Sequence, residues 1–113
     1  MSRWYILDNN HKPVTSTGIE SSKWMEDNPK RKTVGYDELT DLNGDDVRVS
    51  TVFLGLDYSV PWDKHTTPLL WETMIFGGEY DQSQERYNSY EDAVDGHQKM
   101  LNSVKGDSDV VSS

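Results

Sequence analysis

The apolar positions fall into short blocks whose spacing changes along the chain. Residues 47–56 (VRVSTVFLGL) are the most apolar block, and alternation puts Val47, Val49, Thr51 and Phe53 on one face, with Arg48, Ser50, Val52, Leu54 and Leu56 on the other. Both faces turn apolar towards the C-terminal end, the pattern of a central strand covered on both sides. Residues 69–76 (LLWETMIF), closed by Gly77-Gly78, supply its partner strand. Asn43-Gly44 ahead of the block predicts a hairpin turn in which both central residues take positive φ. Further strands are expected at 1–7 (MSRWYIL), at 33–42 (TVGYDELTDL) with an irregular end, and as a short edge at 85–88.

Helical spacing occurs twice. In residues 17–28 (TGIESSKWMEDN), Ile19, Lys23, Trp24 and Met25 recur at that spacing, and Asn28-Pro29 stops the run because a residue before proline disfavours helical backbone. Residues 89–104 carry the clearer signal. Ser89 is a good N-cap with Asp92 three residues on, and Ala93, His97, Met100, Leu101 and Val104 form one apolar stripe. The stretch from Asp8 to Pro13 reads as loop. The order of elements predicts an α+β fold, a small and mostly antiparallel sheet of four to five strands with two helices, the C-terminal one packed on the sheet.

At 113 residues the chain accommodates one domain, expected over 1–104, followed by a small, polar tail at 105–113 expected to be disordered. That tail accounts for part of the low mean hydropathy of -0.81. The absence of cysteine excludes disulfides, thiolate metal sites and a cysteine nucleophile. No run is long and apolar enough for a membrane span, and 1–7 is too short for a signal peptide, which predicts a soluble protein of the cytoplasm.

Charge sharpens the picture through its distribution. The formal net charge is -9, but residues 1–36 hold four acids and six bases, a net of +2, while residues 37–113 hold sixteen acids and five bases, a net of -11. The acids cluster at 37–46 and 79–95. Such a balance argues against binding a phosphate backbone, which needs concentrated positive charge. It fits either a solvated surface or an anionic one presented to a basic partner.

Candidate chemistry is sparse. The run DLNGDD places Asp41, Asn43 and Asp45 as a calcium loop would, but Asp46 stands where that loop needs glycine and Val52 where it needs a bidentate glutamate, so a turn is the better reading. Glu72 interrupts an apolar strand, where a buried carboxylate must be paired, hydrogen-bonded or protonated. Its expected role is a salt bridge to Arg48 across the hairpin, with a ligand-binding or catalytic role as the alternative. Asp57 ends the preceding strand as a loop cap. The twelve-residue connection 57–68 (DYSVPWDKHTTP) is long for a compact domain, and such loops are often functional. It carries Tyr58, Trp62 and His65, which together with Trp71 and Glu72 form the candidate binding set. His97 on the helical stripe reads as a core or boundary histidine, and His11 as a turn residue. Neither a nucleophile–base pair nor a metal-ligand spacing is present, so no catalytic residue, metal or cofactor is assigned. Four tryptophans and six tyrosines supply aromatic faces for core packing or for recognition.

The blocks VRVSTVFLGLD (47–57) and PLLWETMIFGG (68–78), with the later YNSYEDAVDGH, resemble a family of small uncharacterised proteins encoded by tailed bacteriophages and prophages. In that family a VSTVFLGLD strand is followed by a variable loop and a P-x-LFETM-x-FGG strand. The chain departs from it at Trp71, where phenylalanine is commoner, and at Tyr58, where histidine is frequent. The resemblance implies a viral accessory protein acting in the bacterial host cytoplasm, and it implies no chemistry.

Two functional expectations follow. One is non-enzymatic binding of a host or defence protein through an acidic, aromatic-rich surface. The other is a binder or hydrolase of a small nucleotide signal, using a pocket near Glu72 and the 57–68 loop. Direct nucleic-acid binding and membrane association are not expected, and a homo-oligomer is compatible with either.

Overall fold

The computed structural model describes residues 3–57 and 68–106. Two antiparallel sheets and three helices follow in the order β1 (Trp4–Leu7), β2 (Pro13–Ser16), α1 (Gly18–Asp27), α2 (Pro29–Lys32), β3 (Thr33–Thr40), β4 (Asp46–Phe53), β5 (Trp71–Phe76), β6 (Gln84–Tyr87) and α3 (Tyr90–Lys105). Strands β3-β4-β5-β6 make one sheet in sequence order, and β1-β2 make a separate hairpin. Helix α3 packs across all four strands of the larger sheet, the α+β arrangement expected. The interior of the 57–68 loop, with Tyr58, Trp62 and His65, lies outside the described residues, as does the tail from 107.

The stretch read as loop up to Pro13 instead turns back as β2, with Trp4 opposite Ser16 and Leu7 opposite Pro13. Proline has no N–H to give a ladder, so it is tolerated on this edge strand. Asp8 shapes the turn by accepting from the amides of Asn10 (2.8 Å) and Lys12 (3.0 Å). At its tip His11, in the left-handed region at φ 62, stacks on Tyr90 at the start of α3 with ring centroids 4.0 Å apart. The hairpin is thereby tied to the helix.

Helix α1 begins with a full capping box. Thr17 accepts from the Glu20 amide while the Glu20 carboxylate accepts from the Thr17 amide. Its inward face differs from the expected stripe: Ile19 is 83% exposed, whereas Ser21 is buried and donates to the Tyr5 carbonyl. Trp24 meets Phe53 edge-on and carries Arg31 over its other side. Asn28 ends α1, and Pro29 then starts the one-turn α2, where a missing N–H costs nothing.

The hairpin between β3 and β4 is a three-residue loop rather than the expected two-residue turn. Gly44 alone takes positive φ (85°), the Asp41 amide donates to the Asp45 carbonyl, and the Asp41 carboxylate accepts from the Asn43 and Asp45 amides. The side chain that a calcium loop would use is therefore spent on the turn.

Burial alternates along β4 and β5. Val47, Val49, Thr51 and Phe53 face α3, opposite Ile75, Thr73 and Trp71. The apolar side chains form two clusters. Leu7, Phe53, Leu70, Trp71 and Ala93 lie at one end of the sheet, and Val47, Val49, Ile75, Leu101 and Val104 at the other. Between the two clusters runs a polar layer made by Thr51, Thr73 and His97. Cover on both sides of β4 was expected, but among the described residues α3 lies on this one face, and α1, packed on β1, meets β4 at the end of the strand through Trp24 and Phe53. The opposite face, with Arg48, Ser50 and Val52 beside Phe76, Met74 and Glu72, carries no described element.

Candidate functional site

The polar layer is assembled from four strands and a helix. Tyr87 on β6 donates to Thr73 on β5 (3.1 Å); Thr73 and Thr51 share a hydrogen bond of 2.5 Å; Thr51 meets His97 Nδ1 at 2.6 Å; and His97 Nε2 meets Asp37 on β3 at 2.7 Å. Both threonines are fully buried and His97 is 8% exposed, whereas half of the Asp37 side chain reaches solvent. An ionised carboxylate only accepts, so in a neutral ring Nε2 carries the proton and Nδ1 accepts from Thr51. Every buried polar atom of the layer then has a partner, the condition under which such a network is stable between apolar clusters.

Two glycines make room for its rings. Gly35, beside a register shift in β3, would carry a Cβ only 2.8 Å from His97 Nε2, and a Cβ at Gly96 would overlap the Tyr87 hydroxyl. A glycine inside a helix costs about 1 kcal/mol relative to alanine, a loss that the passage of Tyr87 across α3 explains. Burial pushes the Tyr87 phenol above its ordinary 10.0.

Asp37, His97 and Thr51 are connected as in a hydrolytic triad. Thr51 is nevertheless 0% exposed and already engaged by Thr73 and His97, so no substrate carbonyl can reach it. The layer therefore cannot act as a nucleophilic triad. Its Tyr87 end forms the floor of a groove of about 490 Å³ between β6 and α3, lined by Glu85, Asp92, Asp95, Lys99 and Met100 among others. Lys99 pairs with Asp95 at 3.2 Å on the exposed rim.

The two described members of the candidate binding set do not converge. Trp71 faces the core, 0% exposed and tilted against Phe53, so its ring offers no surface to a ligand. Its Nε1 has no hydrogen-bond partner among the described residues. Glu72, one residue on, points to the opposite face. Its partner is Arg86, directly across on β6, with Nε 3.0 Å from the carboxylate, and not Arg48. Arg48 lies over the Phe76 ring, 5.2 Å from its centre, because register sets it opposite Phe76 rather than Glu72. Asp57 accepts from the Leu69 amide at 3.4 Å, drawing together the two ends of the connection it was expected to cap.

Two surfaces emerge that linear sequence kept apart. The β3–β4 and β5–β6 turns lie at the same end of an antiparallel sheet, and they touch: Gly78 packs on the Asp41 carboxylate and Gly77 on the Asp46 carbonyl. Asp41, Asp45, Asp46, Glu79 and Asp81 are thereby gathered at one end, where α3 also finishes with Gly106 against Leu42. The C-terminal carbonyls of the helix add to the negative potential there. The β1–β2 hairpin, α1 and α2, which carry the bases of the first third, lie at the other end. The face of the sheet that no described element covers presents Phe76 beside the acidic end, Met74 and Tyr36 in the middle and Val52 at the other end; Phe76, Met74 and Val52 are half-buried and Tyr36 is 51% exposed.

Among the described residues no group of three or more histidine or acidic side chains is placed to hold a metal ion, and no helix is long and apolar enough to cross a membrane. Comparison with protein-family models, with curated proteins and with solved structures yields no match.

Proposed function

We propose that this chain is a phage accessory protein that acts in the bacterial cytoplasm by binding a basic host or defence protein, without catalysis. The observation that carries the reading is the face of the four-stranded sheet that no described element covers. Antiparallel sheets usually turn polar side chains to water on their free face. Here Tyr36, Met74 and Phe76 interrupt that pattern, with Phe76 next to an end of the molecule bearing five carboxylates. An apolar patch with a carboxylate-rich end beside it suits a partner with an apolar anchor set among lysines and arginines. The carboxylates would speed encounter and exclude acidic competitors, and the patch would supply the buried area.

The test is capture from host lysate with the wild type and with Phe76→Glu, each first shown to be folded. A stoichiometric basic protein that is retained by the wild type, released by rising salt and lost with Phe76→Glu supports the proposal. Retention indifferent to both, or no retained protein, overturns it. A nucleotide found by native mass spectrometry in the purified chain would replace it with the small-ligand reading.

A further inference from the structure

The polar layer has a direction, and the protonation state of one ring sets it. With His97 neutral, every donor points from the groove towards Asp37: Tyr87 to Thr73, Thr73 to Thr51, Thr51 to Nδ1, and Nε2–H to the carboxylate. A second proton on the ring turns Nδ1 from acceptor into donor. Thr51 must then accept from the ring and donate to Thr73, which in turn donates to the Tyr87 oxygen. The Tyr87 hydroxyl hydrogen is left pointing into the groove. We propose that Asp37, His97, Thr51, Thr73 and Tyr87 form a proton wire and protonation switch, which turns the floor of the β6–α3 groove from hydrogen-bond acceptor to hydrogen-bond donor when His97 takes up a proton.

The step balances. A proton from water in the groove bonds to the Tyr87 oxygen as the phenolic O–H breaks and its hydrogen passes to Thr73. Thr73 passes its own to Thr51, and Thr51 passes its own to Nδ1. One proton has moved from groove to ring, no bond between heavy atoms has changed, and each hydroxyl is left with its hydrogen facing the groove. The reversed chain is thus the direct product of the transfer and needs no separate rearrangement.

The surroundings permit both states. From β3 the ring meets Asp37, whose carboxylate compensates the cation. On the inward face of β4 it meets the Thr51 hydroxyl, backed by Thr73 on β5, while Arg48 and Glu72 point to the other side. Around Tyr87, β6 contributes Glu85, and α3 contributes Asp95 and Lys99, so the groove that an outward O–H faces is lined by carboxylates and one ammonium. A wire of this kind requires both threonines to be hydroxyls. Valine, the same shape, would be the ordinary choice at two fully buried, inward-facing strand positions.

The test uses the whole protein with labelled histidine and tyrosine, following the His97 nitrogens and the Tyr87 Cζ resonance by NMR through the His97 titration. The expected result is a neutral ring protonated at Nε2, and a Tyr87 signal that moves with the same midpoint as His97. Thr73→Val should leave His97 titrating while Tyr87 stays flat, and Thr73→Ser should restore the coupling. An Nδ1–H tautomer, a flat Tyr87 signal in the wild type, or unchanged tracking in Thr73→Val overturns the proposal. Should Thr73→Val fail to fold, Thr73→Ala, which removes the same hydroxyl without adding atoms, supplies a second reading: Tyr87 should again stay flat through the His97 titration, and tracking that persists in that variant overturns the proposal equally.

Discussion

Tyr87 crosses α3 at Gly96, so closely that any Cβ at position 96 would overlap its hydroxyl. The contact lets a strand residue at the sheet edge reach past the helix to Thr73 in the core. It also sets two preferences against each other, because helix propensity favours alanine at 96 and packing forbids it.

Packing should win. Gly96→Ala is expected to destabilise by about 1–3 kcal/mol, the usual cost of forcing extra atoms into a packed site, even though alanine favours the helix. In the Tyr87→Ala background the same change should become neutral or stabilising. Urea denaturation of the four proteins measures this coupling. A Gly96→Ala single variant more stable than the wild type would show that the ring moves aside freely.

The polar layer should behave as a unit. Thr51→Val removes the hydroxyl between Thr73 and His97 Nδ1 without changing shape, and leaving those atoms unpaired should cost about 1–3 kcal/mol. Adding Thr73→Val should cost less than the sum of the two single changes, since partners are then removed together. Strict additivity in denaturation experiments would refute a connected network.

The cross-strand pairing of Glu72 separates two arrangements by experiment. A double-mutant cycle between Glu72 and Arg86 should give a coupling of about 0.5–1 kcal/mol, modest because the pair retains some solvent. The cycle between Glu72 and Arg48 should give none. Coupling to Arg48 in place of Arg86 would mean that the sheet register differs.

Two groups give stability a dependence on pH at opposite extremes. Amide bonds from Lys12, then Asn10, hold the Asp8 carboxyl below its ordinary 3.8. A depressed value stabilises the fold above the unfolded pKa and loses that contribution as pH falls through the folded one. The stability gap between wild type and Asp8→Ala should therefore be widest above that range and close on acidification, and a gap that is constant with pH would contradict it. Tyr87 behaves in the reverse sense: its phenol is raised by burial, so its contribution is complete below 10.0 and lost as pH climbs through the folded value. A late phenolate component in an absorbance titration should vanish in Tyr87→Phe, and a titration identical in both would count against the burial of that hydroxyl.

Local signals placed most of the elements. Alternation identified β4 and β5 and grouped Val47, Val49, Thr51 and Phe53 on one face, and Ser89 with its stripe identified α3. What failed locally had local causes: β2 is four mostly exposed residues beginning with proline, and the α1 stripe was misread because Ser21, not Ile19, fits under the Tyr5 and Gly55 carbonyls. The candidate site was hardly legible. Trp71 and Glu72 are neighbours in sequence, yet adjacent strand residues point to opposite faces. The faint signals of the polar layer were two threonines on an apolar face, a histidine on an apolar stripe and a glycine inside a helix.

The sequence by itself determined that this is a small acidic α+β chain without cysteine, that its charge divides into a slightly basic third and a strongly acidic remainder, and which residues share each face of its central strands. These follow from composition and from periods of two and 3.6, which neighbouring residues impose on one another. Only the tertiary structure decided that Asp37 and Thr51, 60 and 46 residues from His97, would meet its two ring nitrogens, and that the separate acidic turns would share one end of the sheet. Strand order and register set those meetings, and register is the joint outcome of packing across the whole sheet, which no single segment encodes.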